Sequence, residues 1–543
     1  MPTLPKSLIV FGASLMTAGT EFQLRQRHGA LAAQARVFRH LVRQLARTEQ
    51  GRADGIEAGM SYAKFAMRVP LRTYEQFLPQ IERMKRGETD VLWPGHCPFY
   101  ALTSGTTNDE ARQLPVTEGM LRHIRQAGWA ALLYYTFRMG HAGVFRGRHL
   151  FLSGSTTLTP LPAAGSVPAF AGDITGIASL NLPRWAEKHY LEPSPAVAQM
   201  TDWGAKLDTI AAQTLGRDIT MLVGTPNWLS GLAEAVLNRA RKGKNRPTSL
   251  RAVWPNLECV VHGGVPLGPF AEELRLACGP GVTFHEVYAA SEGFIATQDR
   301  SASHGLRLMA DMGLFFEFLP LTDYDEKRLA SLGPKVVALE GVQTGIDYVL
   351  LLTTPAGLTR YVLGDVVRFT SVLPPRLIYV GRTRLQLNAF DEHVIEKEIT
   401  DALTAVCQEQ NWNVVNFHVA PHFMKSITGQ LRGRHEWWIE LRSGTAVTPT
   451  GPLLENQLDA KLQLLNPFYA AKRKSEHLLP PSVRLVMPGT FEDWMRRRGK
   501  WGGHSKMPRC RSDRLVADEL SQLTRFRPET ASPWETVSRR SVS

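Results

Sequence analysis

Three short apolar runs, each ending in glycine or small polar residues, set the architecture of this chain. Residues 219–224 read ITMLVG and lead to a turn at Thr225-Pro226-Asn227. Residues 257–264 read LECVVHGG, and residues 282–293 read VTFHEVYAASEG. Each is β-rich and bounded by turn residues, and helical stretches alternate with them. The pattern predicts an α/β fold whose strands carry polar residues at their carboxyl ends, where a site would lie.

A chain of 543 residues exceeds one ordinary core, so two or more domains are expected. Helical spacing is seen over residues 20–50, through Phe22, Leu24, Leu31, Ala35, Phe38, Leu41 and Leu45. Tyr74 to Lys85 reads as another helix, ended by Gly87. Residues 345–354 read as a strand, Pro355-Ala356-Gly357-Leu358 as a turn, and Arg360 to Phe369 as a second strand. Pro374 and Pro375 form a stiff break, and Leu377-Ile378-Tyr379-Val380-Gly381-Arg382 leads out of it. A boundary near Gly381 gives a large domain over 1–380 and a smaller α+β domain over 381–543. The tail after Phe526 is rich in Arg, Ser and Pro and is expected to fray.

With 43% apolar and 21% charged residues the composition is that of a soluble globular protein. No window resembles a membrane span, and the short apolar stretch near the N-terminus reads as part of the fold rather than a signal peptide. The five cysteines are scattered and lack metal-ligand spacing, which fits a reducing, cytoplasmic setting. The formal charge of +13 is concentrated late, at Lys472-Arg473-Lys474, at Arg496-Arg497-Arg498 with Lys500, and at Lys506, Arg509 and Arg511. Such clusters are either a solvated basic face or a field that attracts a nucleotide or an acidic carrier. Nucleic acid is not the expected partner, since only Trp494 and Trp501 interleave with the charge.

Five places suggest chemistry. Thr103-Ser104-Gly105-Thr106-Thr107 follows an apolar run; it reads as a plain loop or as an anion nest with hydroxyl donors for phosphates, and no GxxxxGK[ST] loop occurs. Glu292, in Tyr288-Ala289-Ala290-Ser291-Glu292-Gly293, is either a cap before a helix starting at Gly293 or a carboxylate for Mg²⁺. Asp365 after Gly364 is a turn residue or an acceptor for ribose hydroxyls. Arg382 is a linker charge or a guanidinium that reaches nucleotide oxygens. Lys506, in a glycine-rich loop, is a surface cation or one carried over a phosphate by domain closure.

Together these pieces resemble the GH3 family of acyl-acid amido synthetases, first known as auxin-responsive plant proteins, within the adenylate-forming superfamily. The likeness runs from about residue 20 to Cys510. It includes Val69-Pro70, the 103–107 loop, Leu114-Pro115-Val116-Thr117, Gly224-Thr225-Pro226, HGGVPL at 262–267, YAASEG at 288–293, TTPAGLTRYVLGDVVRF at 353–369, Gly381-Arg382, Pro488-Gly489-Thr490-Phe491 and Ser505-Lys506-Met507-Pro508-Arg509-Cys510. The resemblance implies a large N-terminal domain with α/β and β-barrel parts and a small, mobile C-terminal domain. It implies that Thr103, Ser104, Gly105, Thr106 and Thr107 hold the phosphates of ATP, and that Gly263, Gly264 and Val265 lie along the adenine. Tyr288 would stack on or near the base, Ser291 assist at the nucleotide, Glu292 bind Mg²⁺ and Asp365 hold the ribose. Arg382 would contact the nucleotide near the hinge, and Lys506 would close over the site.

The chain departs from the family after Thr107. Asn108-Asp109-Glu110-Ala111-Arg112 stands where a Gly-Glu-x-Lys-like run is usual, and Arg112 would substitute for the lysine. Asn388 and Asp391 replace a Lys and a Gly common in the superfamily. The function so implied is activation of a carboxylic acid as its acyl-adenylate and transfer to an amine, in the first place an amino acid. The alternatives are transfer to a thiol of coenzyme A or a carrier protein, and a nucleotide-binding protein with altered catalysis. Leu222, Trp228 and Val260 suggest an apolar wall for the acid.

Overall fold

The computed structural model describes residues 6–25, 29–103, 112–161, 168–242, 246–383, 386–387, 392, 394–410, 412–425, 431–442, 450–498 and 507–523. Two compact units divide the chain. One comprises Met1–Val265, Leu274–Tyr379 and Gly502–His504, the other Pro266–Glu273, Val380–Trp501 and Ser505–Ser543.

The N-terminal segment forms two helices, α1 (Lys6–Arg25) and α2 (Gly29–Leu45). Helix thus begins well before residue 20, because Ile9 and Ala13 bury themselves in a cluster with Tyr135 and Phe145. Helix α3 spans Tyr74–Lys85 and sends Tyr74, Phe77, Ile81 and Met84 inward. Gln76 accepts a hydrogen bond from the Thr73 N–H at 2.9 Å, closing its first turn. Helix α4 (Glu118–Met139) starts on Thr117, whose hydroxyl accepts from the Met120 N–H.

Among the described residues two sheets build the first unit. The smaller contains β1 (Phe99–Thr103), β2 (Arg112–Val116), β4 (Thr159–Pro160) and β5 (Phe170–Asp173), in the order β2-β1-β5-β4. The larger has twelve strands among the described residues. Its one half is parallel: β6 (Leu191–Glu192), β3 (Arg148–Phe151), β7 (Ile219–Gly224), β8 (Cys259–Gly263) and β9 (Thr283–Ala290). Its other half contains β10 (Gly293–Thr297), β11 (Leu306–Leu308), β12 (Phe315–Pro320), β13 (Val337–Ala338), β14 (Asp347–Thr353), β15 (Tyr361–Val372) and β16 (Pro375–Arg382). Its β9–β10, β10–β11, β11–β16, β12–β14, β12–β13 and β14–β15 pairings are antiparallel. The change of direction falls at β9, which pairs parallel with β8 and antiparallel with β10. The carboxyl ends of parallel strands are where α/β sheets place ligands.

The second unit holds a two-stranded pair, β17 (Gln386–Leu387) and β18 (Val394–Ile395), and the sheet β19 (Val414–Lys425), β20 (Leu431–Leu441) and β21 (Ser482–Val486). Helices over Glu396–Gln410 and Gly451–Leu465 cover it, with Leu403, Trp437, Ile439 and Leu458 in the core. The late basic residues are largely engaged. Arg473 pairs with Asp459 at 2.7 Å, Arg496 with Glu492 at 2.6 Å and Arg511 with Asp513 at 2.6 Å, while Arg498 pairs with Glu519. Trp494 is buried, donates to Glu519 at 2.8 Å and carries Arg498 against its ring, so it offers no stacking platform to a base. Among the described residues no helix is long and apolar enough to cross a membrane. All five cysteines are buried and free.

Candidate active site

The carboxyl end of β9 organises the site. Ala290 pairs with Gly293, so Ser291 and Glu292 form a two-residue turn into β10 rather than a cap before a helix. Sheet pairing with β9 decides this, since the apolar residues after Gly293 suit either element. The turn is pinned from α4. His123 Nε2 accepts from the Phe294 N–H at 2.8 Å, so the ring proton sits on Nδ1 and is donated to the Met312 carbonyl at 2.5 Å. Burial lowers the His123 pKa to about 4, which keeps the ring neutral as this geometry requires. Gly293 leaves no room for a side chain, since a Cβ there would stand 2.6 Å from Leu314 and 3.1 Å from His123.

Two tyrosine–carboxylate bonds join this hairpin to β15. The Tyr361 hydroxyl donates to Glu292 Oε1 at 3.2 Å, and the Tyr288 hydroxyl donates to Asp365 Oδ2 at 2.6 Å. Asp365 is aimed by a bulge, where Leu363, Gly364 and Asp365 stand between the pairings Val349–Val366 and Leu351–Val362. Gly364 takes a left-handed φ of 83° there. The Tyr288 ring meets Tyr379 edge-on, with centroids 5.7 Å apart. Burial raises the Tyr361 pKa well above the usual tyrosine range, with the Glu292 charge adding to it, so the phenol remains a donor.

Gly263 ends β8 beside β9. A Cβ at this position would lie 2.3 Å from the Val287 carbonyl oxygen, so only glycine fits, and Gly264 follows with a left-handed φ of 81°. Val265 comes next, half-buried. The Thr103 end of the glycine-threonine loop is the last residue of β1 and pairs with Arg112, the first residue of β2. Ser104, Gly105, Thr106 and Thr107 lie outside the described residues, as do Asp109 and Ala111. The Arg112 guanidinium lies over the Tyr74 ring and pairs with Glu75 at 2.6 Å, so it faces α3.

In the second unit Arg382 is half-buried at the end of β16. Lys506, Asn388 and Asp391 lie outside the described residues. The chain just after Lys506 is anchored on β19: Arg509 O accepts from Val419 N at 2.9 Å, and the Arg511 N–H donates to Val419 O at 3.1 Å. His418 bonds the Pro508 carbonyl at 2.7 Å, and Arg509 donates to Asn416 at 2.9 Å while resting on the Phe417 ring.

Some residues behave otherwise than their sequence suggests. Leu222 and Val260 are register neighbours with 1% and 0% exposure, so they belong to the core and present no wall to an acid. Trp228 packs on Trp203, with ring centroids 4.8 Å apart. Tyr361 and His123 have roles that sequence reasoning did not assign. Tyr361 was visible only as a neighbour of the Gly364-Asp365 pair, and His123 only as a polar residue on the buried face of a helix with Met120, Ala127 and Ala131.

Among the described residues no group of three or more His, Cys, Asp or Glu side chains could enclose a metal. A lone Glu292 carboxylate fits Mg²⁺, which keeps several waters and is held by one or two carboxylates plus substrate phosphates.

Comparisons with known proteins cover nearly the whole chain. The GH3 family N-terminal domain matches residues 21–282, the GH3 family central domain residues 307–382 and the GH3 family C-terminal domain residues 397–515. Indole-3-acetic acid-amido synthetase GH3.8 of Oryza sativa subsp. indica is 25% identical, over 94% of this chain and 93% of its own. Indole-3-acetic acid-amido synthetase GH3.3 of Arabidopsis thaliana is 23% identical, over 91% and 92%. Among solved structures, a GH3.15 acyl acid amido synthetase superposes with a TM-score of 0.72 at 19% identity, covering 92% of this chain and 95% of that one. A 2-hydroxyisobutyryl-CoA ligase in the postadenylation state gives a TM-score of 0.54 at 14% identity, covering 92% and 91%.

Proposed function

The chain belongs to the GH3 family, and from that premise we propose that it joins a small carboxylic acid to an amine, in the first place an amino acid, through an acyl-adenylate made from ATP. The relatives named as amido synthetases support the overall reaction. One observation carries the local assignment: Glu292, Asp365 and the bare glycine edge at Gly263 gather around the carboxyl end of β9.

A carboxylate is a poor electrophile. Its oxygen attacks the α-phosphorus of ATP, the bond to the β-phosphate oxygen breaks, and pyrophosphate leaves. The amine then attacks the acyl carbon, loses a proton and expels AMP. For both steps the protein need only position the reactants and offset charge. Gly263 and Gly264 let the adenine lie against the strand edge. Asp365 accepts from the ribose hydroxyls while Tyr288 keeps its hold on Oδ2. The 103–107 loop offers amides and hydroxyls to the phosphates, and Arg382 and Lys506 supply positive charge. Glu292 would hold Mg²⁺, whose positive charge would offset the charge that builds as pyrophosphate leaves. The free, scattered cysteines favour the reducing cytoplasm as its setting.

The test is exchange of labelled pyrophosphate into ATP, dependent on Mg²⁺ and stimulated by a carboxylic acid. Glu292→Ala and Asp365→Ala are each expected to reduce exchange about 100-fold. Unchanged exchange in both overturns the assignments. A mass-spectrometric screen of acid and amine pairs should then yield an amide and AMP. A thioester instead would move the acceptor to coenzyme A or a carrier, and ATP binding without AMP across the panel would leave a nucleotide-binding protein.

A further inference from the structure

The geometry points to Tyr361 as a residue that helps fix Glu292 relative to the strands flanking the 103–107 loop, and so as a positioning residue for the metal–nucleotide complex. The inference rests on the adenylation reading above.

Tyr361 belongs to one sheet by its backbone and to another layer by its ring. Its strand, β15, is part of the larger sheet, whereas its side chain, 1% exposed, sits in the core with Tyr74 and Phe77 of α3, Tyr100 of β1 and Leu114 of β2. β1 and β2 end and begin at Thr103 and Arg112, on either side of the loop. From that core the hydroxyl reaches Glu292 on the β9–β10 turn. One side chain therefore spans the two structures that must share a triphosphate.

Tyr361 is also held from behind. Arg360 adopts a φ of 44°, costly for a residue with a side chain, and is completely buried. Its Nε lies 3.1 and 3.2 Å from the two oxygens of buried Glu317, and Nη1 donates to the Ala66 and Val69 carbonyls at 2.7 and 2.9 Å. Tyr62 adds a hydrogen bond to Glu317 at 3.0 Å. Arg72 brackets the tyrosine, donating its N–H to Arg360 O at 3.3 Å and accepting from Val362 N at 2.8 Å. Glu292, by contrast, is a half-buried side chain on a two-residue turn. Constraint therefore passes from Tyr361 to Glu292. A carboxylate whose rotamer is already fixed loses less freedom when a metal binds it.

Titration calorimetry of ATP on the full chain, with and without Mg²⁺, tests the inference. Tyr361→Phe keeps the ring and removes only the hydroxyl. It should weaken MgATP binding about tenfold and leave metal-free ATP binding unchanged. On a Glu292→Gln background, where the carboxylate charge is gone, the same change should add little. Equal Mg²⁺ dependence in Tyr361→Phe and the unaltered chain overturns the inference. Should the variant not fold, a crystal structure of the unaltered chain with MgATP decides: a Tyr361 hydroxyl beyond hydrogen-bonding distance of Glu292 overturns it equally. If the unaltered chain binds ATP without regard to Mg²⁺, the adenylation reading fails first.

Discussion

Tyr288 and Asp365 lie on strands that are far apart in sequence, yet the phenol stands 2.6 Å from the carboxylate and both side chains are buried. Tyr361 and Glu292 repeat the relationship in the opposite sense. The β9–β10 hairpin and β15 thus each supply one phenol and one carboxylate. Each carboxylate thus takes a hydrogen bond from a neutral phenol of the other element.

Tyr288→Phe retains the ring but leaves Asp365, 2% exposed, without this donor. Stability should fall by about 1.5–3 kcal/mol, the net contribution of a hydrogen bond to a charged group. ATP should also bind more weakly, because Asp365 loses its orientation. Equilibrium denaturation in urea measures the first effect, and an unchanged midpoint would contradict it.

Arg112 and Glu75 permit a cleaner separation. Their ion pair is part-exposed, so breaking it should cost under about 1 kcal/mol. Arg112→Ala should raise the KM for ATP about tenfold if the guanidinium serves the phosphates. Glu75→Ala, which frees the same guanidinium, should not raise it. Parallel behaviour of the two variants would mean that Arg112 acts only by tying β2 to α3.

Acid should unfold the larger unit early. Burial holds His123 and His262 at about 4 and His285 at about 3, against an ordinary value of 6.5. The unfolded chain therefore takes up protons first, so stability is complete above pH 6.5 and is lost as pH falls toward 4. With three such rings the slope approaches about 4 kcal/mol per pH unit near pH 5. Urea midpoints at pH 7 and pH 5 report it, and a flat profile would count against these buried neutral rings.

What could be read from the chain was what short-range patterns determine. The Tyr74–Lys85 helix carries its own spacing and first-turn bond, and the strands at 219–224 and 361–372 are marked by β-rich runs beside turn residues. The Glu292 turn was ambiguous because only pairing with β9 distinguishes it from a helix start. The early start of α1 depends on Tyr135 and Phe145, more than a hundred residues away. Tyr361 reaches Glu292 across 69 positions, a partnership no local spacing announces. Leu222 and Val260 misled because a buried parallel strand and the lining of an apolar pocket have the same composition.

The Glu317–Arg360 pair has a consequence for how this sequence can vary. Both side chains are fully buried, and removing either strands the other charge at a cost of about 3–5 kcal/mol. Single replacements at these two positions therefore lead downhill, whereas a joint change to well-packed apolar residues need not. Descendants of this chain should keep both residues or exchange both, so that the two sites drift as one character rather than two.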